Sequence, residues 1–351
     1  MSDEPIMAEA PPTLEINPPL INSSNPWATT LEDLRALYAC PSTGAVTTRT
    51  SLTKGFGHDP AKHRYVFFDP ATHSPSLHPD SVHASPTQNA SLNSLGYSPL
   101  ALEKYLGFIR TISDEQPTPS SKWFIVSVTG TPEEVADSYK LIAAAKLTVD
   151  FPLAMEVNLS CPNIPNKPPP AYSRDALVQY LEKLQNTIDL HHELPRIPFG
   201  LKTPPYTHST EYQELISALE SSAESSVGGV TPVSFLTATN TLGSCLVISD
   251  ILEISAATFA LPGYGIGGMA GAPLHPLALG NVATLRRMLD EDERSGKLGH
   301  IRIIGIGGVL DVAGYHRMRK VGAAIVGVGT GLGLKGVGIF GEIETALGGQ
   351  W

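Results

Sequence analysis

Eight short apolar or β-branched runs mark this chain, most of them followed by a helical pattern. They are Leu20–Ser23, Ala45–Thr48, Phe124–Val128, Met155–Leu159, Phe199–Lys202, Phe235–Thr239, Ile301–Ile304 and Ala324–Val328. Strands that alternate with helices form parallel βα units, and eight such units point to a (β/α)8 TIM barrel. A doubly wound open sheet is the runner-up. Against it, no GxGxxG follows the first run. The length of 351 residues suits one barrel with insertions.

Several helix starts are legible. Thr131-Pro132-Glu133-Glu134 reads as a capping box with proline at the first helical position, opening a helix through Ala144. Thr30 precedes Leu31 in the same way. Ser173 caps a helix to about Leu190, and a last helix covers Ile339 to Leu347. Two connections are too long for simple loops. One follows the second strand, from Thr50 to Lys122, with a Ser/Pro/His-rich part at 70–91 and a helix over Pro99–Ser113. The other follows the sixth strand, from Asn240 to Pro276, and contains the glycine-rich run 263–268. No internal repeat appears beyond the βα rhythm. Residues 16–351 therefore read as one barrel domain behind an acidic, proline-rich and disordered tail, residues 1–15.

Barrel chemistry sits at the C-terminal ends of the strands. The unusual residues fall there: Ser23 and Ser24, Arg49, Ser127, Asn158, Lys202, then Thr239, Asn240 and Thr241. Lys202 stands inside an apolar strand, where burying an ammonium is costly unless it meets an anion or strong acceptors. Gly307-Gly308 ends the seventh strand, and Gly329-Thr330 follows the eighth. Glycine admits close backbone approach, and barrels often hold phosphate after these two strands. A phosphate-bearing cofactor is implied, and FMN fits better than NAD. After the fourth strand, Cys161 lies between Asn158 and Asn163 on a loop stiffened by Pro162, Pro165 and Pro168. A thiol is thus held between amides suited to a planar, amide-rich ligand.

The formal net charge of -10 argues against nucleic acid or an anionic membrane as partner. Three widely spaced cysteines, Cys40, Cys161 and Cys245, suggest neither a disulfide framework nor a metal site. His58, His63, His73, His78 and His83 scatter through one insertion and read as a solvated loop. No targeting segment or membrane span is apparent, so a cytoplasmic location is expected.

The run Asn158-Leu-Ser-Cys161-Pro-Asn163-Ile-Pro-Asn-Lys167-Pro168 resembles the catalytic loop of the cytosolic, class 1A dihydroorotate dehydrogenases. The resemblance extends from about Ile16 to Leu347 through Leu92–Gly96, Gly200–Tyr206, Thr239–Gly243, Gly265–Gly268 and the terminal glycine loops. It implies an FMN barrel enzyme of pyrimidine (UMP) synthesis that oxidises dihydroorotate to orotate. Cys161 would be the base, with Lys202 beside the flavin. Asn93, Leu95, Gly96, Asn158, Asn163, Asn240 and Thr241 would hold substrate. Ser23, Ser24, Arg49, Ser127, Asn158, Lys202, Thr239, Gly267, Gly268, Gly307, Gly308, Gly329 and Thr330 would hold FMN. The Ile164–Pro168 segment resembles the single-subunit branch, which implies fumarate as electron acceptor and a homodimer. Arg49 stands in place of a lysine, Asn25 of a glycine, and Leu95 and Tyr97 of methionine and leucine. These departures bear on substrate choice. A same-fold flavoenzyme acting on another dihydropyrimidine or cyclic amide is the alternative, followed by a flavin-binding barrel without turnover.

Overall fold

A computed structural model of the chain describes residues 10–76, 85–160, 169–248 and 259–351. The chain enters through β1 (Leu20–Asn22), α1 (Leu31–Ala39) and β2 (Ala45–Thr47). Next come β3 (Tyr65–Phe68), β4 (Ala90–Asn93) and α2 (Leu102–Asp114). Regular βα units follow: β5 (Trp123–Val128) with α3 (Pro132–Ala145), β6 (Leu153–Asn158) with α4 (Arg174–Leu190), and β7 (Phe199–Thr203) with α5 (Ser209–Ser225). β8 (Phe235–Ala238) leads into β9 (Leu242–Leu246) and β10 (Ile266–Gly271), then α6 (His275–Asp290) and α7 (Asp292–Leu298). The chain closes with β11 (Arg302–Ile306), α8 (Val312–Lys320), β12 (Ile325–Val328), α9 (Thr330–Lys335) and α10 (Gly338–Leu347).

Strands β1, β12, β11, β8, β7, β6, β5 and β2 close into a barrel, every neighbouring pair parallel. The eight runs seen in the sequence are these eight strands, with ends shifted by at most two residues. Helices start where their caps dictate. Thr30 with Asp33 and Thr131 with Glu134 form reciprocal capping boxes, and the Ser173 hydroxyl accepts from Ala176 N–H.

Alternation along each strand separates two cores. Outward residues such as Val126, Met155, Val157, Leu201 and Leu236 pack under the helices. Inward residues Ile21, Ala45, Ile125, Ala154, Phe235, Ile304, Ile306 and Ile325 fill the barrel. The Phe235 ring takes the space a side chain at Gly200 would need, 2.3 Å from where its Cβ would stand. Leu14 and Ile16 join this inner cluster, and Trp123 Nε1–H donates to Glu15 C=O at 2.7 Å. Chain read as tail therefore includes a segment that closes the bottom of the barrel.

The two long connections build something the sequence did not suggest, a four-stranded sheet in the order β3-β4-β10-β9. Its pairings are antiparallel, with Asn93 opposite both Tyr65 and Gly268. Val66, Phe68, Ala90, Leu92, Val247 and Leu261 give it a small core of its own. The sheet joins residues of both insertions above the barrel's active end. Among the described residues, no helix is long and apolar enough to cross a membrane.

Candidate active site

Above the apolar filling, the inward positions turn polar. β5 presents Ser127, β6 presents Glu156 and Asn158, and β7 presents Lys202, which pairs in register with Asn158. Lys202 is 4 % exposed, and no partner for its ammonium is found among the described residues. Glu156 is 2 % exposed and accepts from Ser127 Oγ at 2.8 Å. A chain of hydroxyls continues upward: Ser127 Oγ to Thr50 Oγ1 at 2.9 Å, and Thr50 Oγ1 to Ser24 Oγ at 2.9 Å.

Two of the asparagines read as ring-holding groups meet each other. Asn158 Nδ2 donates to Thr50 Oγ1 at 3.0 Å, and its Oδ1 accepts from Asn240 Nδ2 at 3.2 Å. Asn240 Nδ2 also reaches Ser160 Oγ at 3.0 Å, and its Oδ1 accepts from Thr241 N–H at 2.8 Å. Asn93 reaches the site from the upper sheet, where its Nδ2 donates to Gly268 C=O at 3.0 Å.

These groups surround a cleft at the mouth of the barrel, the usual place for a cofactor or small-molecule site in this architecture. Ser23, Ser24, Arg49, Asn93, Leu95, Gly96, Asn158, Lys202, Thr239, Asn240, Thr241, Gly307, Gly308, Gly329 and Thr330 all line it. Ser127 lies one layer below, joined to the cleft through Thr50. Gly267 and Gly268 do not line the cleft; they lie on β10 behind Asn93 and Thr241. A Cβ at Gly268 would come 2.3 Å from Thr241 Oγ1, so glycine there lets the upper sheet close onto these two side chains. Cys161 and Asn163 lie outside the described residues.

The turn after β11 is held from behind. Gly308, with φ of 69°, takes a left-handed conformation, and a Cβ there would sit 2.6 Å from His275 Cβ. His275 Nδ1 lies 2.6 Å from Gly307 C=O, while Arg317 Nε–H donates to His275 Nε2 at 3.0 Å. These two bonds require the neutral imidazole, protonated on Nδ1. Burial pushes the His275 imidazole down, which favours that form.

Arg49 extends along the rim. Its Nη2 lies 3.4 Å from Gly96 C=O and 3.3 Å from Tyr97 C=O. Both contacts exceed the usual hydrogen-bond range. No carboxylate among the described residues pairs with it, and burial pushes its pKa down. Trp27 and Tyr65 also line the cleft, ring centroids 5.3 Å apart and edge to face, with Trp27 stacked on Phe67. The sequence reading missed Thr50, Glu156 and this aromatic pair. A charged residue inside the apolar run Met155–Leu159 was the available signal for Glu156, the same signal that marked Lys202. No group of three or more His, Cys, Asp or Glu side chains suited to a metal is found among the described residues.

The family model described as dihydroorotate dehydrogenase matches residues 78–350. A Trypanosoma cruzi protein named dihydroorotate dehydrogenase (fumarate) is 29 % identical over 332 residues, covering 94 % of this chain and 88 % of that one. A Streptococcus equi protein carrying the name dihydroorotate dehydrogenase A (fumarate) is 28 % identical, covering 95 % of this chain and 90 % of the relative.

Proposed function

The chain belongs to the dihydroorotate dehydrogenase family of oxidoreductases, and on that premise we propose that it oxidises dihydroorotate to orotate in pyrimidine synthesis, with FMN as cofactor and fumarate as electron acceptor. The observation that carries this reading is the convergence in one cleft of the unpartnered Lys202 ammonium, the Asn158–Asn240 amide pair and two glycine turns. A buried cation without a partner is costly and calls for an anionic or strongly accepting ligand. FMN meets that demand, and its ring and phosphate suit the mixed polar and apolar lining of the cleft. When bound, FMN supplies a two-electron acceptor for hydride.

The chain's own residues do the rest. Lys202 offsets negative charge at the floor of the cleft. The backbone at Gly307, Gly308 and Gly329 leaves room for close approach of a phosphate. Asn93, Asn240 and Thr241 present amide and hydroxyl groups to the planar ring of the substrate. Arg49 offers its unused donors to the substrate carboxylate. Cys161, by resemblance, takes the proton from the ring carbon next to the one that gives hydride. Residues 14–351 act as one FMN-binding domain, and the enzyme is a cytoplasmic homodimer.

The test is anaerobic addition of dihydroorotate to the purified protein. Bleaching of a flavin absorption band is expected, followed by its return on addition of fumarate. A flavin that ignores dihydroorotate sinks the substrate assignment. Protein that neither contains nor takes up FMN sinks the whole reading.

A further inference from the structure

Glu156 is a carboxylate in the middle of the barrel that the reaction above does not use. It is 2 % exposed, and Ser127 Oγ–H is its one hydrogen-bond donor among the described residues. On the inward faces of β5, β6 and β7 its neighbours are Ile125, Ser127, Ala154, Asn158, Gly200 and Lys202, and only Lys202 is charged. Register pairs Glu156 with Gly200 and Asn158 with Lys202, so the lysine stands one inward position nearer the cleft, and the two form no ion pair.

Proton counting ties the direction of the hydroxyl chain to the protonation state of Glu156. Each hydroxyl has one proton to donate. An ionised Glu156 only accepts, so Ser127 spends its proton on Glu156 and must accept from Thr50. Thr50 then spends its proton on Ser127 and accepts from both Ser24 and Asn158 Nδ2. With Glu156 ionised, every hydroxyl proton points down toward it. If Glu156 becomes protonated and donates to Ser127, each proton turns over, and Ser24 at the cleft is left with one to offer. The state of a carboxylate three hydroxyls below the floor is thus expressed at the floor.

We propose that Glu156 is the proton store of this site, filled and emptied through Ser24, Thr50 and Ser127 as charge builds up and decays in the cleft above. The inference rests on the proposed FMN chemistry. Two electrons delivered to a group above Lys202 leave net negative charge close to a second buried negative charge. Two like charges in one low-dielectric site repel, and a proton on the carboxylate relieves the repulsion. Glu156 then takes a proton from solvent by way of the cleft: the Ser24 proton moves to Thr50, that of Thr50 to Ser127, that of Ser127 to Glu156, and solvent restores the Ser24 proton. When the electrons leave for the acceptor, the sequence runs backward. No oxidant or reductant beyond the substrates is involved.

The experiment counts protons taken up per two electrons, read from the pH dependence of the midpoint potential of bound FMN between about pH 6 and pH 9. Wild type is expected to take up two over part of this range, one with the flavin and one on Glu156. Glu156→Gln, near-isosteric and unable to titrate, is expected to take up one less over the same range. Equal counts in the two proteins overturn the proposal. Should Glu156→Gln lose its fold, Ser127→Ala retains the carboxylate and breaks the relay. Rapid mixing with a pH indicator should then show proton uptake lagging flavin bleaching by at least about tenfold in rate. Simultaneous uptake and bleaching in that variant refute the relay. A protein that binds no FMN overturns the proposed function and this inference with it. A protein that binds FMN normally but shows equal proton counts overturns this inference alone.

Discussion

Replacing Arg49 with alanine should selectively weaken binding of the substrate's carboxylate. The structure sets the magnitude. A guanidinium has five donors, and here Nη2 makes contacts of 3.3 and 3.4 Å to the carbonyls of Tyr97 and Gly96. Those distances lie beyond a good N–H···O bond, so little is lost when the group turns toward a ligand. With no carboxylate partner among the described residues, its charge is underused. Burial lowers its pKa, but an arginine starts high enough to stay protonated at neutral pH. A charge-assisted hydrogen bond contributes about 1.5–3 kcal/mol, so orotate should bind roughly 10- to 150-fold more weakly to Arg49→Ala. Lysine keeps the charge but loses the planar fork, so Arg49→Lys should fall between. The assay is orotate titration of the flavin-loaded protein, followed by the shift in the visible flavin spectrum. Equal orotate affinity in wild type and Arg49→Ala would refute the assignment. An equal loss of affinity for neutral uracil would show that only cleft packing had changed.

Lys202→Ala should raise the FMN dissociation constant about 10- to 150-fold, measured by quenching of tryptophan fluorescence, since an ionic contact is lost. Cys161→Ala should slow flavin reduction by dihydroorotate about 10²- to 10⁴-fold in stopped-flow while FMN stays bound, the usual reach of a general base. His275 is held neutral by burial and by accepting from Arg317, so its folded pKa is depressed. The unfolded chain therefore binds the extra proton first. The contribution to stability is full above about pH 6.5 and is lost as pH falls below it. A His275→Asn variant should show a flatter fall of Tm with acidification than wild type. Leu14→Ala, which empties part of the barrel floor, should cost about 2–5 kcal/mol in denaturant unfolding.

Some of this was legible in the chain because burial on both faces leaves a plain mark. Parallel strands covered by helices on one side and filled on the other read as largely apolar runs, as Phe124–Val128 and Ala324–Val328 do. The upper sheet left no such mark. Ala90–Asn93 is half polar, and Ile266–Gly271 is half glycine. Both are weak strand formers, and each is a strand mainly because the other pairs with it. The same limit governs the site. Lys202 stood out by charge against an apolar strand. Gly267 and Gly268 could be recognised as glycines where backbones meet, but the pattern does not say on which side, and they pack behind Asn93 instead of facing the cleft. Leu14 was hidden by its acidic, proline-rich surroundings.

The pairing of Asn93 with Gly268 has a consequence for how the protein is made. The two residues are 175 positions apart, yet one positions the other across adjacent strands. During synthesis at about 5–20 residues per second, Asn93 leaves the ribosome roughly 9–35 s before its partner exists. Through that interval β3 and β4 form at best an isolated hairpin, which is marginal in water. This wall of the cleft is therefore among the last parts to be completed, and a chain released before β10 would have many of the barrel's strands but no finished cleft.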